Sequence, residues 1–213
     1  MFKRSVVIKA NKLKPIAGIS PDYKSIIFFT FFVCGIILGV IIIKKSQEDF
    51  LDFFMKLLNN RLGIQKNSSW LMNFCSDFLW LFVLIFLDFV LGLCAVGVPF
   101  IWLIPVLFGC FAGCVLSVYY MNFGLNGLAF CGLVNIPSYA ITAATLIKCC
   151  CESTRVSNEI FYFVLRGKTN ESPKDALIKD YSMKYVTLCL PVLLAALISS
   201  GSFKLFSGLF TFI

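Results

Sequence analysis

The sequence predicts an all-α, polytopic membrane helix bundle with five transmembrane helices and two amphipathic interfacial connectors. Its amino terminus is predicted to be cytoplasmic and its carboxyl terminus outside. Three observations carry this. Of the 213 residues, 59% are hydrophobic and only 14% charged, with a mean hydropathy of +0.89, whereas soluble domains sit near 45–50% apolar and about 25% charged. The excess is gathered into long runs, and about twenty apolar residues in helical form cross a bilayer core. The basic residues collect at the ends of those runs, as they do at membrane surfaces.

Residues 1–24 carry Lys3, Arg4, Lys9, Lys12, Lys14 and Lys24 against the single acid Asp22, a basic anchor that stays on the cytoplasmic side. The first span follows at 25–43. It ends in Lys44-Lys45 without a small-residue cleavage site, so this is an anchor and not a secretory signal. Gly35 and Gly39 give the span one smooth face. The external connector, 44–69, begins with Ser46 and Asp49 in a capping-box pattern. Phe50, Leu51, Phe54, Leu57 and Leu58 then recur at helical spacing, which predicts an interfacial helix. Phe50, Phe54, Leu57 and Leu58 form a candidate partner-binding face.

The second span, 70–96, holds Asp77 and Asp88. Eleven residues of helix put them on one face. Asp77 lies near the interface, where it can face water. Asp88 is deeper, and an intramembrane carboxyl group marks either a functional site or a hydrogen-bonded structural one. No basic residue of a neighbouring span stands opposite it.

The third span, 99–121, enters through Gly97-Val98-Pro99 and carries the ladder Gly109, Gly113, Ser117, suited to close helix packing. A polar joint, Asn122-Phe-Gly-Leu-Asn126-Gly127, leads to the fourth span at 126–147. Within it Pro137 removes a backbone donor, and Asn135 and Ser138 stand beside it as local partners. The expectation is a helix kinked or broken at Pro137 and packed against protein. Asn135 joins Asp88 as a candidate polar intramembrane residue.

The cytoplasmic connector, 148–184, holds Lys148, Arg155, Arg166, Lys168, Lys174, Lys179 and Lys184, with a predicted surface helix at 152–165 and a loop at 167–173. Gly167-Lys168-Thr169 resembles the end of a P-loop, but Tyr162 stands where the upstream glycine belongs and no strand precedes it, so nucleotide binding is rejected. The fifth span covers 185–203, and the external apolar tail 204–213 is too short to cross again. With the amino terminus inside, thirteen of the nineteen Lys and Arg residues are cytoplasmic.

There are ten cysteines and no histidine. Most cysteines sit in apolar runs as small hydrophobes, and no Cys spacing forms a metal site. Cys149-Cys150-Cys151 are read as small interfacial residues, with palmitoylation the alternative. No nucleophile–base pair is visible and no cofactor is implied. Nucleic-acid binding is excluded, because no basic stripe is interleaved with stacking aromatics. Intramembrane aspartyl proteolysis needs two carboxyl groups sharing a proton, whereas Asp77 and Asp88 stand about 16 Å apart along one helix.

The stretch from Leu91-Gly92 through Gly97-Val98-Pro99, Gly109, Gly113, Asn126-Gly127 and Pro137 resembles the stage II sporulation protein M family, as does the first span ending in Leu38-Gly39. These positions, Gly92, Gly97, Pro99, Gly109, Gly113, Asn126, Gly127 and Pro137, are the candidate helix-packing residues. The resemblance implies a multi-pass cell-membrane protein of endospore-forming Gram-positive bacteria that is required for forespore engulfment and has no known catalysis. It implies an anchor for a peptidoglycan-degrading complex at the sporulation septum, with stage II sporulation proteins D and P as partners. Members also occur in organisms that do not sporulate. The resemblance assigns no role to Asp77 or Asp88. Membrane lipid is the other partner, and the small-residue faces are compatible with a homo-oligomer. The competing reading is a transporter or channel component built on the broken fourth helix and Asp88.

Overall fold

The computed structural model describes residues 21–46, 52, 54–56, 69–166 and 174–206. Five long helices make up the bundle: α1 (Pro21–Lys45), α2 (Trp70–Leu93), α3 (Val98–Val134), α4 (Ile136–Arg166) and α5 (Lys174–Phe206). No strand occurs among the described residues. Among the described residues, four stretches are long and apolar enough to cross a membrane: Tyr23–Lys45, Trp70–Leu93, Val98–Val134 and Leu177–Phe206. The helix α4 is not among them, because its second half carries Glu152, Arg155 and Glu159.

The core contact joins α1 to α3. A Cβ on Gly35 would stand 2.3 Å from the Val106 carbonyl oxygen, and one on Gly39 would stand 2.2 Å from that of Cys110. Reciprocally, a Cβ on Gly109 would meet the Phe32 carbonyl oxygen at 2.2 Å and one on Gly113 that of Ile36 at 2.3 Å. The two pairs of glycines, each spaced by four, therefore interlock backbone against backbone, which only residues without a side chain permit. Numbers rise together on both helices, so α1 and α3 run parallel. Phe32 stacks on Phe108 at 5.9 Å, one edge of the seam. At its far end Ile43 is fully buried with Cys114 and Val118.

The helix α3 contains a reversal. Gly124 has φ 58° and ψ −138°, a backbone conformation that side-chain-bearing residues avoid. After it the chain folds back: the Tyr119 and Phe130 rings are 5.7 Å apart, whereas eleven residues of straight helix span about 16 Å. Gly127 sits where this return arm touches the outgoing one, its Cβ position 2.3 Å from the Tyr119 carbonyl oxygen. The turn falls inside the predicted polar joint.

Of the two outcomes expected at Pro137, a kink or a break, the structure has the kink. Asn135 N–H donates to Cys131 O and Tyr139 N–H to Asn135 O, both at 2.9 Å, so helical bonding runs from the return arm into α4. Proline lacks only its own donor and disturbs the turn before it, which places the bend at Asn135. Pro137 itself lies on the exposed face, contrary to the expectation that it packs against protein. Nor does this helix stop near Ile147. Cys149, Cys150, Ser153, Val156 and Ser157 are all buried at three- and four-residue spacing, and that inner stripe carries α4 on to Arg166. The surface helix expected at 152–165 is thus the end of α4. Likewise α5 begins at Lys174, well ahead of 185.

Directions follow from the contacts. Asp88 meets Tyr185 while Asp77 meets Ser199, so α2 and α5 are antiparallel. Asp88 meets Ser153 and Cys94 meets Ser157, so α2 and α4 are parallel. Of the connector between α1 and α2, Asp52 and residues 54–56 are helical, and Phe54 packs on Phe111 at 6.5 Å. Phe50, Leu57 and Leu58 lie outside the described residues.

Gly39→Ala and Gly109→Ala should each destabilise the detergent-solubilised protein by about 1–3 kcal/mol, the usual cost of overpacking. Gly132→Ala and Gly201→Ala have nothing within 4 Å of the new atom and should change stability by no more than about 0.5 kcal/mol. Thermal unfolding in one detergent compares the two pairs; equal shifts would remove the glycine seam as a determinant of stability.

Candidate functional site

The buried stripe of α2 is Asn73, Asp77, Leu81, Ile85, Asp88 and Gly92, spaced by three or four, so one face turns its polar groups into the bundle. Asp88 is fully buried. Its Oδ2 accepts hydrogen bonds from Ser153 Oγ of α4 at 2.9 Å and from Tyr185 OH of α5 at 2.7 Å. The Tyr181 hydroxyl lies 3.0 Å from Ser153 Oγ and donates to the Phe89 carbonyl at 3.1 Å. Tyr181 and Tyr185, one turn apart on α5, flank Phe89 with ring centroids at 4.9 and 5.0 Å. Gly92 supplies the space: a Cβ there would stand 2.1 Å from the Tyr181 hydroxyl oxygen. One turn further on, Ser157 Oγ donates to the Cys94 carbonyl at 2.6 Å, a second bond beside the one that carbonyl accepts from Gly97 N–H at 3.1 Å at the end of α2.

Three helices thus share one carboxyl group through hydroxyls. Such bonds between membrane helices are worth about 1–2 kcal/mol at most, and leaving their partners unpaired costs at least as much. Asp88 Oδ1 has no hydrogen-bond partner among the described residues. The Cys150 thiol is buried beside the carboxyl group.

A second polar spot lies along the same stripe. Asp77, expected to face water, is only 3% exposed, and Ser199 Oγ of α5 donates to its Oδ2 at 2.8 Å. Asp77, Ser199, Asn135 and Ser138 help to line a cavity of about 50 Å³, room for one or two waters at about 30 Å³ each. Asn135, at the bend, is half-buried on this cavity. The two sequence-nominated polar residues, Asp88 and Asn135, therefore belong to different spots.

The other nominated residues divide by role. Gly92 belongs to the hydroxyl cluster, Gly109 and Gly113 to the seam with α1, and Gly127 to the hairpin. Gly97 closes the turn into α3, and Pro99 lies in its first turn. Asn126 is exposed at the turn. Phe54 is half-buried against the bundle. Among the described residues no three Cys, Asp or Glu side chains converge as a metal site. Sequence reasoning missed Ser153, Tyr181 and Tyr185. The one available signal was the Tyr pair at i, i+4 approaching a span that faces a buried acid.

The fold is that of a multi-helix membrane protein whose intramembrane polar groups are tied between helices. The family model for stage II sporulation protein M matches residues 28–201, and the chain belongs to that sporulation-associated family. The match covers α2, α3 and α4 in full, together with most of α1 and of α5. No curated protein sequence matches the chain, and no solved structure does.

Gly92→Ala should destabilise the protein by about 1–3 kcal/mol through its clash with Tyr181, and Tyr181→Phe alone by roughly 1 kcal/mol. Because removing the hydroxyl makes room for the methyl group, the double variant should be more stable than the two single effects add up to. A double-mutant cycle in detergent checks this, and strict additivity would separate Gly92 from Tyr181.

Proposed function

We propose that this protein is a non-enzymatic integral membrane scaffold that crosses the membrane five times, amino terminus inside and carboxyl terminus outside. The fourth crossing combines the return arm of α3 with the first half of α4, as the alternating helix directions and the positive-inside count support. In this reading it acts in forespore engulfment, holding a peptidoglycan-degrading complex at the septal membrane with stage II sporulation proteins D and P as partners. The role and partners come from the family. One observation speaks for a scaffold in particular: both carboxyl groups of α2 accept hydrogen bonds from hydroxyls of other helices in the same bundle. Carboxyl groups tied into helix contacts add to the rigidity that a scaffold needs.

The transporter or channel reading keeps one observation, the small cavity at the Asn135 bend with Asp77 on its wall. Asp88→Asn separates the two readings. The amide preserves an acceptor for Ser153 and Tyr185, so a scaffold carrying it should complement a gene deletion nearly fully. A transporter relying on that carboxyl group should lose function.

In a spore-forming host, deletion of the gene should stop cells after polar septation, the septum bulging but not migrating, as membrane-dye imaging of starved cells would show. Normal engulfment would overturn the proposed role. Charge reversal at Glu48, Asp49 and Asp52 should weaken co-purification with a wall hydrolase, and unchanged recovery would remove that connector as the docking surface.

A further inference from the structure

At the end of the bundle where α1 begins, a cleft of about 480 Å³ lies between α1, α4 and α5. Four cationic side chains line it: Lys24, Lys148, Arg155 and Lys184. They are not equivalent. Arg155 and Lys184 form a closed ring with Glu152 and Asp180, with contacts of 2.8 Å (Arg155–Glu152), 3.2 Å (Lys184–Glu152), 3.3 Å (Lys184–Asp180) and 3.6 Å (Arg155–Asp180). Two acids neutralise two bases there. Lys24 and Lys148 have no carboxylate within ion-pair distance among the described residues, so the cleft carries an uncompensated charge of about two.

The donors are matched by few acceptors. Arg155 Nε is buried and has no hydrogen-bond partner among the described residues. Ser25 and Thr187 also line the cleft, their hydroxyls held by Cys151 Sγ and the Met183 carbonyl. A guanidinium edge and two ammonium groups around one opening match the several acceptor oxygens of a phosphate group. The position matches too. Ser25, on the wall, opens the charge-free run of α1, and basic clefts between helices at that level receive anionic headgroups. Leu188 and the alkyl stems of the lysines give the remaining wall an apolar character suited to glycerol or the start of an acyl chain.

We propose that the cleft between the start of α1 and the facing sides of α4 and α5 binds a phosphate group, carried by an anionic lipid headgroup or by a soluble phosphate ester. Bound there, the phosphate would link Lys24 of α1 to Lys148 of α4. It would reinforce the contact between these helices that includes the Ser25 Oγ–Cys151 Sγ pair at 3.7 Å.

The test uses the purified full-length chain in a non-ionic detergent, with native mass spectrometry to count bound molecules. Dioleoylphosphatidylglycerol should bind, and dioleoylphosphatidylcholine, which has no net charge, should not. The variant Lys24→Gln/Lys148→Gln should bind phosphatidylglycerol roughly ten- to thirtyfold more weakly, as expected when two cationic contacts to an anionic headgroup are lost. Lys24→Arg/Lys148→Arg should retain binding, which separates lost charge from misfolding. Lys44→Gln/Lys45→Gln, at the other end of α1, should also retain it. Inorganic phosphate distinguishes the sources. If it displaces the lipid, the site reads the phosphate alone and accepts soluble esters; if the lipid stays, the headgroup and chain are both read. Equal binding of the two lipids, or undiminished binding by the Gln variant, would overturn the proposal.

Discussion

Lipid tails are as apolar as leucine, so a membrane bundle gains nothing from hiding leucines and must be held by what lipid cannot offer. That constraint selects two devices, close backbone contact and shared hydrogen bonds. This chain keeps them apart. The α1–α3 pair uses the first almost alone, with four glycines letting two backbones approach within van der Waals reach. The α2–α4–α5 trio uses the second, through Asp88, Ser153, Tyr181 and Tyr185. Phe108, packed on Phe32 from α1 and on Tyr139 from α4, belongs to both halves. Many large apolar side chains, Phe29, Ile37, Leu79, Phe86, Leu103 and Leu190 among them, are correspondingly exposed. In water they would be a defect; in a bilayer they face solvent of their own kind.

The two devices differ in what they tolerate. A glycine seam resists any added atom, because the opposing group is backbone and has nowhere to go. A hydroxyl–carboxyl cluster resists loss more than gain, because removing one member strands the others in a medium without water. Gly92 joins the two logics, being small so that Tyr181 can reach Ser153. A chain with one rigid seam and one hydrogen-bonded crossing has little freedom left to rock one part against another, as alternating access requires. This is the physical reason for preferring a scaffold. It rests on the packing and not on the lack of a catalytic residue.

Much of this was legible in the sequence, and the rest was illegible for definite reasons. The glycine spacing on α1 and α3 revealed two smooth faces, but spacing names a face and not its partner. The reversal at Gly124 fell within the polar joint already visible as Asn122 to Gly127. Asp77 and Asp88 were placed on one face by angle alone, and both turn inward. Their hydroxyl partners were hidden because Ser and Tyr are common in membrane helices and carry no charge to flag them. Whether the helix kinks or breaks near Pro137 stayed open because a proline's missing donor is visible in sequence and the continuing bonds on either side of it are not. The extent of α4 was obscured by averaging. Glu152 and Arg155 lower the hydropathy of that stretch, although Cys149, Ser153, Val156 and Ser157 keep a buried stripe running beneath them.

That mixed character of α4 gives its last turns a purpose. A helix leaving the membrane as a plain apolar rod would end where its hydropathy ends. Here the inner stripe continues past the charges, holding Ser153 under Asp88 while Glu152 and Arg155, on neighbouring positions, turn outward into the ion ring with α5. One turn of α4 therefore serves a buried cluster and a charged surface at once. The hydrogen-bonded crossing sits directly beneath the basic cleft, and the stability of one is tied to the geometry of the other. A phosphate group drawing Lys24 and Lys148 together would press the start of α1 against the turn of α4 that carries Ser153. The state of the membrane surface would then be felt at the hydroxyl–carboxyl cluster that joins α2, α4 and α5.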